Sequence, residues 1–111
     1  MGKMQRDKGK RGELDAAVCI FERTGVSVQR KLDQYQKTGP DLEVVDPQSS
    51  QLAKVLNWYG IEVKRTKDHV RISLLRSWWE ETIHKAQTIG KDPLLMYRVD
   101  NQPWWFVVPL F

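Results

Sequence analysis

Two short runs of β-forming residues carry acids where a strand packed into a small domain should be apolar, and that conflict constrains the chain more than any other feature. The first is Asp41-Leu42-Glu43-Val44-Val45, introduced by Thr38-Gly39-Pro40; the second is Ile61-Glu62-Val63-Lys64-Arg65, after Trp58-Tyr59-Gly60. Side chains alternate across a strand, so Glu62 and Lys64 project to one side, Ile61 and Val63 to the other, and Asp41 shares a side with Glu43. If the two strands pair with their acidic sides together, Asp41, Glu62 and Lys64 converge on a patch about one hydrated ion across. Hard carboxylate oxygens of that kind suit magnesium or manganese.

The rest of the chain supplies elements around these runs. Met1 to Arg11 carries Lys3, Arg6, Lys8, Lys10 and Arg11 against a single acid, Asp7, with almost nothing apolar. Such a segment cannot bury enough surface to offset its ordering entropy, so residues 1–11 read as a mobile basic arm, either merely solvated or reaching for phosphates. From Gly12 to Thr24, Leu14, Ala17, Val18 and Phe21 recur at i, i+3, i+4 and i+7, the buried stripe of an amphipathic helix that Gly25 closes as a C-cap. Glu13 lies with Ala17 and Ile20 at the edge of that stripe, where a first-turn acid meeting the helix dipole would also explain it. Val26, Val28 and Arg30 share one face of a strand over residues 25–32, and Arg30 there either reaches past the apolar face to solvent or holds a phosphate.

Residues 33–38 read as a loop, and Asp46-Pro47-Gln48-Ser49-Ser50 as a turn cluster. Leu52 to Leu56 is too short for periodicity to separate a strand from a helical turn. Either way this segment is expected to return the chain antiparallel beside residues 41–45, with residues 57–64 continuing the hairpin. Past Lys64, the basic residues Arg65, Lys67 and Arg71 suit a strand end or loop. Ser73 is placed to cap a helix over residues 74–88, whose face of Leu74, Leu75, Trp78, Trp79, Thr82, Ile83 and Ala86 is expected to bury at least one of the paired tryptophans; Gly90 ends it. Two strands follow, over 94–99 and 104–108. The second is apolar on both sides, so it is either covered twice or offers a self-association surface.

A chain of 111 residues has room for one domain with a modest core. The net charge of +4 and a pI near 9.3 favour an anionic partner, most simply nucleic acid. Cys19 is the single cysteine, flanked by Val18 and Ile20, which excludes an intrachain disulfide and a cysteine zinc site and suits burial as a small hydrophobe. No apolar run approaches membrane-spanning length and no signal-peptide pattern follows the basic start. The expectation is a soluble cytoplasmic protein without a membrane partner.

Pro40-Asp41 followed by Glu62-Val63-Lys64 resembles the PD-(D/E)xK nuclease signature, and the small size resembles the archaeal-type Holliday junction resolvases of that superfamily. The agreement extends to Glu13 on an amino-terminal helix, a basic strand over Val26–Arg30 after it, and a helix then strands after Lys64, in the right order over nearly the whole chain. The resemblance implies a single restriction-endonuclease-like α/β domain over residues 12–111, with a mixed, mainly antiparallel sheet flanked by helices. It further implies a homodimeric endonuclease dependent on Mg2+ or Mn2+, cutting four-way (Holliday) junction DNA, possessed by a cell or by a phage acting in its host.

By that resemblance Asp41 and Glu62 would ligate the metal directly, with the Val63 carbonyl as a further ligand. Glu13 would act through a bound water or complete a second ion's shell, and Lys64 would orient the attacking water or steady transition-state charge. Lys8, Lys10, Arg11, Arg30, Lys31, Arg65 and Lys67 are the expected contacts to DNA. Where related nucleases often carry a Gln facing the site from the following helix, Arg76, Trp79 and Glu80 stand in this chain, and no role is carried over to them. Glu43 is expected to be an outlying acid. Three other readings remain open on the sequence: a flap-cutting or restriction-like nuclease, a non-catalytic basic nucleic-acid-binding module, or a subunit whose acids pair with Arg30 and Lys64 to hold a dimer.

Overall fold

The structure, a computed structural model, describes residues 3–31 and 39–110, with side chains from Gly9 onward in the first helix. Along the chain run α1 (Lys3–Thr24), β1 (Val28–Arg30), β2 (Leu42–Val44), α2 (Gln51–Leu56), β3 (Tyr59–Thr66), α3 (Ile72–Gln87), β4 (Asp92–Val99) and β5 (Trp105–Val107). The strands form one sheet in the order β1-β2-β3-β4-β5. Neighbours are antiparallel except β3 and β4, which run parallel because α3 carries the chain back to the starting end of β3. This is the expected α/β domain with a mixed, mainly antiparallel sheet flanked by helices. The expected loop over 33–38 and the Lys8 side chain lie outside the described residues.

Alternation along β3 separates the two layers. Ile61 enters a core with Ala16 and Ile20 of α1, Val26, Leu42, Val44, Ala53, Leu94 and Met96. Glu62, the next residue, turns to the other face and meets α3. Both helices come close to the sheet, and both do so by small residues. Gly12 of α1 lies against β3, where an added Cβ would sit 3.6 Å from Arg65 Cβ. Gly60 of β3 lies under α3, where a Cβ would come within 2.9 Å of Pro40 Cγ and 3.0 Å of Ala86 Cβ.

That close approach corrects two expectations about which faces are buried. In α1 the buried line is Gly12, Ala16 and Ile20, whereas Leu14, Val18 and Phe21, expected in the core, are 47%, 55% and 55% exposed. Periodicity finds an apolar stripe, but the sheet accepts the face whose side chains are short enough to let the backbone down onto it. In α3 the buried residues are Thr82 and Ala86, and neither Trp78 nor Trp79 is fully buried. Trp78 packs at the margin, its ring tilted against Tyr97 with centroids 5.9 Å apart.

Element ends differ in informative ways. Helix α1 begins at Lys3 and not at Gly12, so it takes in most of the stretch read as a mobile arm; a docked helix extends into a polar flank at one hydrogen bond per added residue. It ends as expected, with Gly25 at φ 73° and its N–H donating to the Phe21 carbonyl at 2.8 Å. The ambiguous segment is helix α2, because Ser50 Oγ accepts the Ala53 N–H at 3.0 Å as an N-cap. Ser73 is not a cap: α3 starts at Ile72, with Arg71 in extended conformation before it and no side-chain cap. At the far edge of the sheet, β5 is uncovered, with Trp105 61% and Phe106 42% exposed.

Candidate active site

The pairing of β2 with β3 is one residue pair long, Leu42 opposite Ile61, and the acids gather where it stops. The Asp41 N–H donates to the Ile61 carbonyl at 2.9 Å, and the Asp41 side chain then takes the place of a strand carbonyl, its Oδ2 accepting the Val63 N–H at 2.8 Å. This anchors the carboxyl group beside Glu62. Burial, followed by the hydrogen bond and the charge of Glu62, pushes the Asp41 carboxyl up to about 8, against the opposing Val63 N–H and the charge of Lys85. The expected convergence of Asp41 and Glu62 is therefore present.

Glu62 is 1% exposed, the only charged side chain fully buried among the described residues. Lys85 Nζ of α3 lies 2.8 Å from Glu62 Oε2. At that distance the contact is a charge-assisted ion pair, and among the described residues no other donor reaches this buried oxygen. Burial works against the Lys85 ammonium, but the Glu62 carboxylate, with Asp41 and Glu81 behind it, outweighs burial and raises its pKa. Lys85 is placed here by Gly60, because the missing side chain lets Ala86, the next residue, rest on β3.

Glu13 extends the acidic line from the α1 side. Burial raises its carboxyl, the ion pair and hydrogen bond with Arg30 oppose this, and the nearby Asp41 raises it further. The three acids thus form a row, Glu13 to Asp41 to Glu62. Lys64 shares the Glu62 face of β3 but its Nζ is held 2.8 Å from Glu81 Oε2, and Lys85 Nζ also lies 3.1 Å from Glu81 Oε1. Burial tends to raise the Glu81 carboxyl, and the two ammonium groups overcome it and lower it. Val63 meets the site through its backbone N–H.

The donors of the row fit a divalent cation: two adjacent carboxyl groups, one raised in part by the other, and a buried Glu62 oxygen whose partner is a single ammonium group. Among the described residues no three His, Cys, Asp or Glu side chains close into a ready-made cage, so such an ion would share its shell with water or substrate.

The basic residues divide. Arg30 is engaged by Glu13, and Arg65 is held by Asp15 at 3.2 Å and Asp100 at 2.8 Å, fastening α1 and the β4–β5 turn to β3. Lys10, Arg11 and Lys67 are exposed, and Lys31 is half-buried. Glu43 accepts from Gln29 Nε2 across the β1–β2 pair at 3.0 Å. Arg76 and Glu80 face solvent. Sequence reasoning missed Glu81 and Lys85; the available signal was an acid and a base at i, i+4, flanking the line of Thr82 and Ala86.

A family model described as "Phage putative PDDEXK endonuclease" matches residues 4–111. Protein D14 of Escherichia phage T5 is 30% identical over 112 residues, an alignment covering 89% of this chain and 67% of that protein. The fold is shared with Archaeoglobus fulgidus Hjc, a Holliday junction resolvase from an archaeal hyperthermophile, at a TM-score of 0.55 and 16% identity over 91% of this chain and 72% of the other. The five-stranded sheet and its helices are thus a restriction-endonuclease-like domain.

Proposed function

The chain belongs to the phage PDDEXK endonuclease family, and from that membership as a nuclease we propose that it is a Mg2+- or Mn2+-dependent endonuclease hydrolysing phosphodiester bonds of four-way (Holliday) junction DNA as a homodimer. The observation that carries the proposal is the abutment of two carboxyl groups, Asp41 and the buried Glu62, on the face that also bears Lys64. PD-(D/E)xK nucleases generally use divalent metals. Such an ion lowers the pKa of its bound water and draws charge from a phosphate oxygen.

The chain's own residues divide the remaining work. Asp41 and Glu62 would hold the ion, with Glu13 acting through a water and the Val63 carbonyl as a further donor. The Val63 N–H and the Arg30 guanidinium keep Asp41 and Glu13 in place. Lys64 would orient the attacking water or steady charge on the phosphate. Lys8, Lys10, Arg11, Lys31 and Lys67 would meet DNA phosphates, while Arg30 and Arg65 would join them only by leaving their acids. A two-fold homodimer matches the symmetry of a four-way junction, and the uncovered β5 edge with Trp105 and Phe106 supports self-association. Among the described residues no helix is long and apolar enough to cross a membrane. The relative from Escherichia phage T5 supports a place within an infected cell.

The test is cleavage by purified protein, with Mg2+, of four-way, flap and linear duplex DNA, alongside its mass by light scattering. Paired cuts on the junction are expected, abolished in Asp41→Asn with DNA binding retained. Preference for flaps, or equal cutting of linear duplex, would overturn the junction assignment. Binding without any cleavage would leave a basic nucleic-acid-binding module, and a monomer on the junction would remove the dimer.

A further inference from the structure

We propose that Lys85 is the resident cation of the carboxylate site: its ammonium group balances Glu62 in the metal-free protein, and a divalent ion binds only as Lys85 gives up Glu62 and withdraws to Glu81. The inference rests on the metal-dependent reading above. Its basis is geometric. The Lys85 ammonium stands 2.8 Å from Glu62 Oε2, a buried oxygen that no other donor reaches among the described residues. A small divalent ion ligated by that oxygen would sit about 2.0–2.1 Å from it. Two positive centres cannot share one oxygen at those distances without strong repulsion, so ion and ammonium compete for it.

The structure also provides the seat for the displaced group. Glu81 lies one helical turn before Lys85 at the partly exposed rim of the site, and its Oε1 is already 3.1 Å from Lys85 Nζ. Its other oxygen holds Lys64 Nζ at 2.8 Å. Withdrawal of Lys85 therefore needs no change in the α3 backbone, only a side-chain shift from an acid shared with the ion to one that is not. It also sets two ammonium groups against each other on Glu81, which loosens Lys64 on the face where Glu62 lies. Glu81 is in this sense a positioning residue for both lysines.

A Lys85 that holds Glu62 in position for the ion predicts weaker metal binding on its removal, whereas a Lys85 that competes with the ion predicts tighter binding, and that difference makes the test. Calorimetric titration with Mn2+ alone, without DNA, is carried out on the full chain and on Lys85→Met, Lys85→Arg, Glu81→Gln and Asp41→Asn. Lys85→Met is expected to bind Mn2+ about tenfold to a hundredfold tighter, as a competing charge-assisted contact is lost, and to melt lower than the unaltered protein without metal but not with it. Lys85→Arg keeps the competing charge and should bind within roughly threefold of the unaltered protein. Glu81→Gln removes the seat and should weaken binding about tenfold. If Lys85→Met folds only with Mn2+, that dependence supports the competition and Glu81→Gln supplies the affinity measurement. Equal or weaker Mn2+ binding by folded Lys85→Met, or unchanged binding by Glu81→Gln, overturns the inference while Asp41-dependent binding leaves the metal reading standing. Absence of Asp41-dependent binding in every protein overturns both.

Discussion

Replacing Asp41 by asparagine should stabilise the metal-free protein, and increasingly so as the pH rises from 4 to 8. The Asp41 carboxyl moves from 3.8 to about 8 on folding, chiefly through burial and then through Glu62. Between those values the folded chain holds a proton that the unfolded chain has lost, so the contribution of Asp41 to stability is full below about pH 4 and disappears as the pH climbs through about 8. The span corresponds to at most about 6 kcal/mol. Relaxation and water penetration around the ionising carboxyl reduce this to roughly 2–4 kcal/mol. Asparagine keeps the shape and an oxygen for the Val63 N–H and cannot ionise. Glu81 runs the other way: its lowered carboxyl gives stability above the ordinary glutamate range that is lost as the pH falls, but it is common to both proteins and cancels in the comparison. Urea unfolding in chelator from pH 4.5 to 8.5 is the assay. The advantage of Asp41→Asn should widen steadily with pH, and added Mn2+ should narrow it by stabilising the unaltered protein alone. A difference that does not change with pH, or one that shrinks as pH rises, would refute the reasoning.

Two further substitutions test how the fold positions the site. Gly60→Ala drives a methyl group into Pro40 Cγ and the Ala86 backbone, the latter at 3.1 Å, and should cost about 1–3 kcal/mol in thermal or urea unfolding while weakening Mn2+ binding, since Asp41 directly follows Pro40 at the contact. Ile20→Ala should cost about 2–4 kcal/mol, whereas Leu14→Ala, on the exposed side of the same helix, should cost less than about 1 kcal/mol; comparable losses would mean that the two faces of α1 are assigned the wrong way round.

Much of the site was legible in the sequence because strand alternation is strict. Once Asp41 and Glu62 stood in neighbouring runs among valines and leucines, the period of two put Glu62 opposite Ile61, and the pairing of Leu42 with Ile61 brought Asp41 alongside. Gly25 was readable for a similar reason, as its position past the last apolar turn calls for a left-handed residue. Helix faces were less legible. The pattern of Leu14, Val18 and Phe21 is a sound amphipathic stripe, yet the sheet takes Gly12 and Ala16, whose value lies in what they lack. The same blindness hid Lys85. Nothing in the spacing of α3 marks it until Gly60 and Ala86 are known to touch, a contact between residues 26 positions apart in the sequence that local patterning does not encode.

The measurement closest to the central claim is an anomalous difference map from crystals soaked in manganese. A peak within roughly 2–2.2 Å of oxygens from both Asp41 and Glu62, with the Lys85 ammonium moved off Glu62, is the predicted result. Manganese bound elsewhere on the chain, with those two carboxyl groups left against each other and Lys85 still in place, would contradict it.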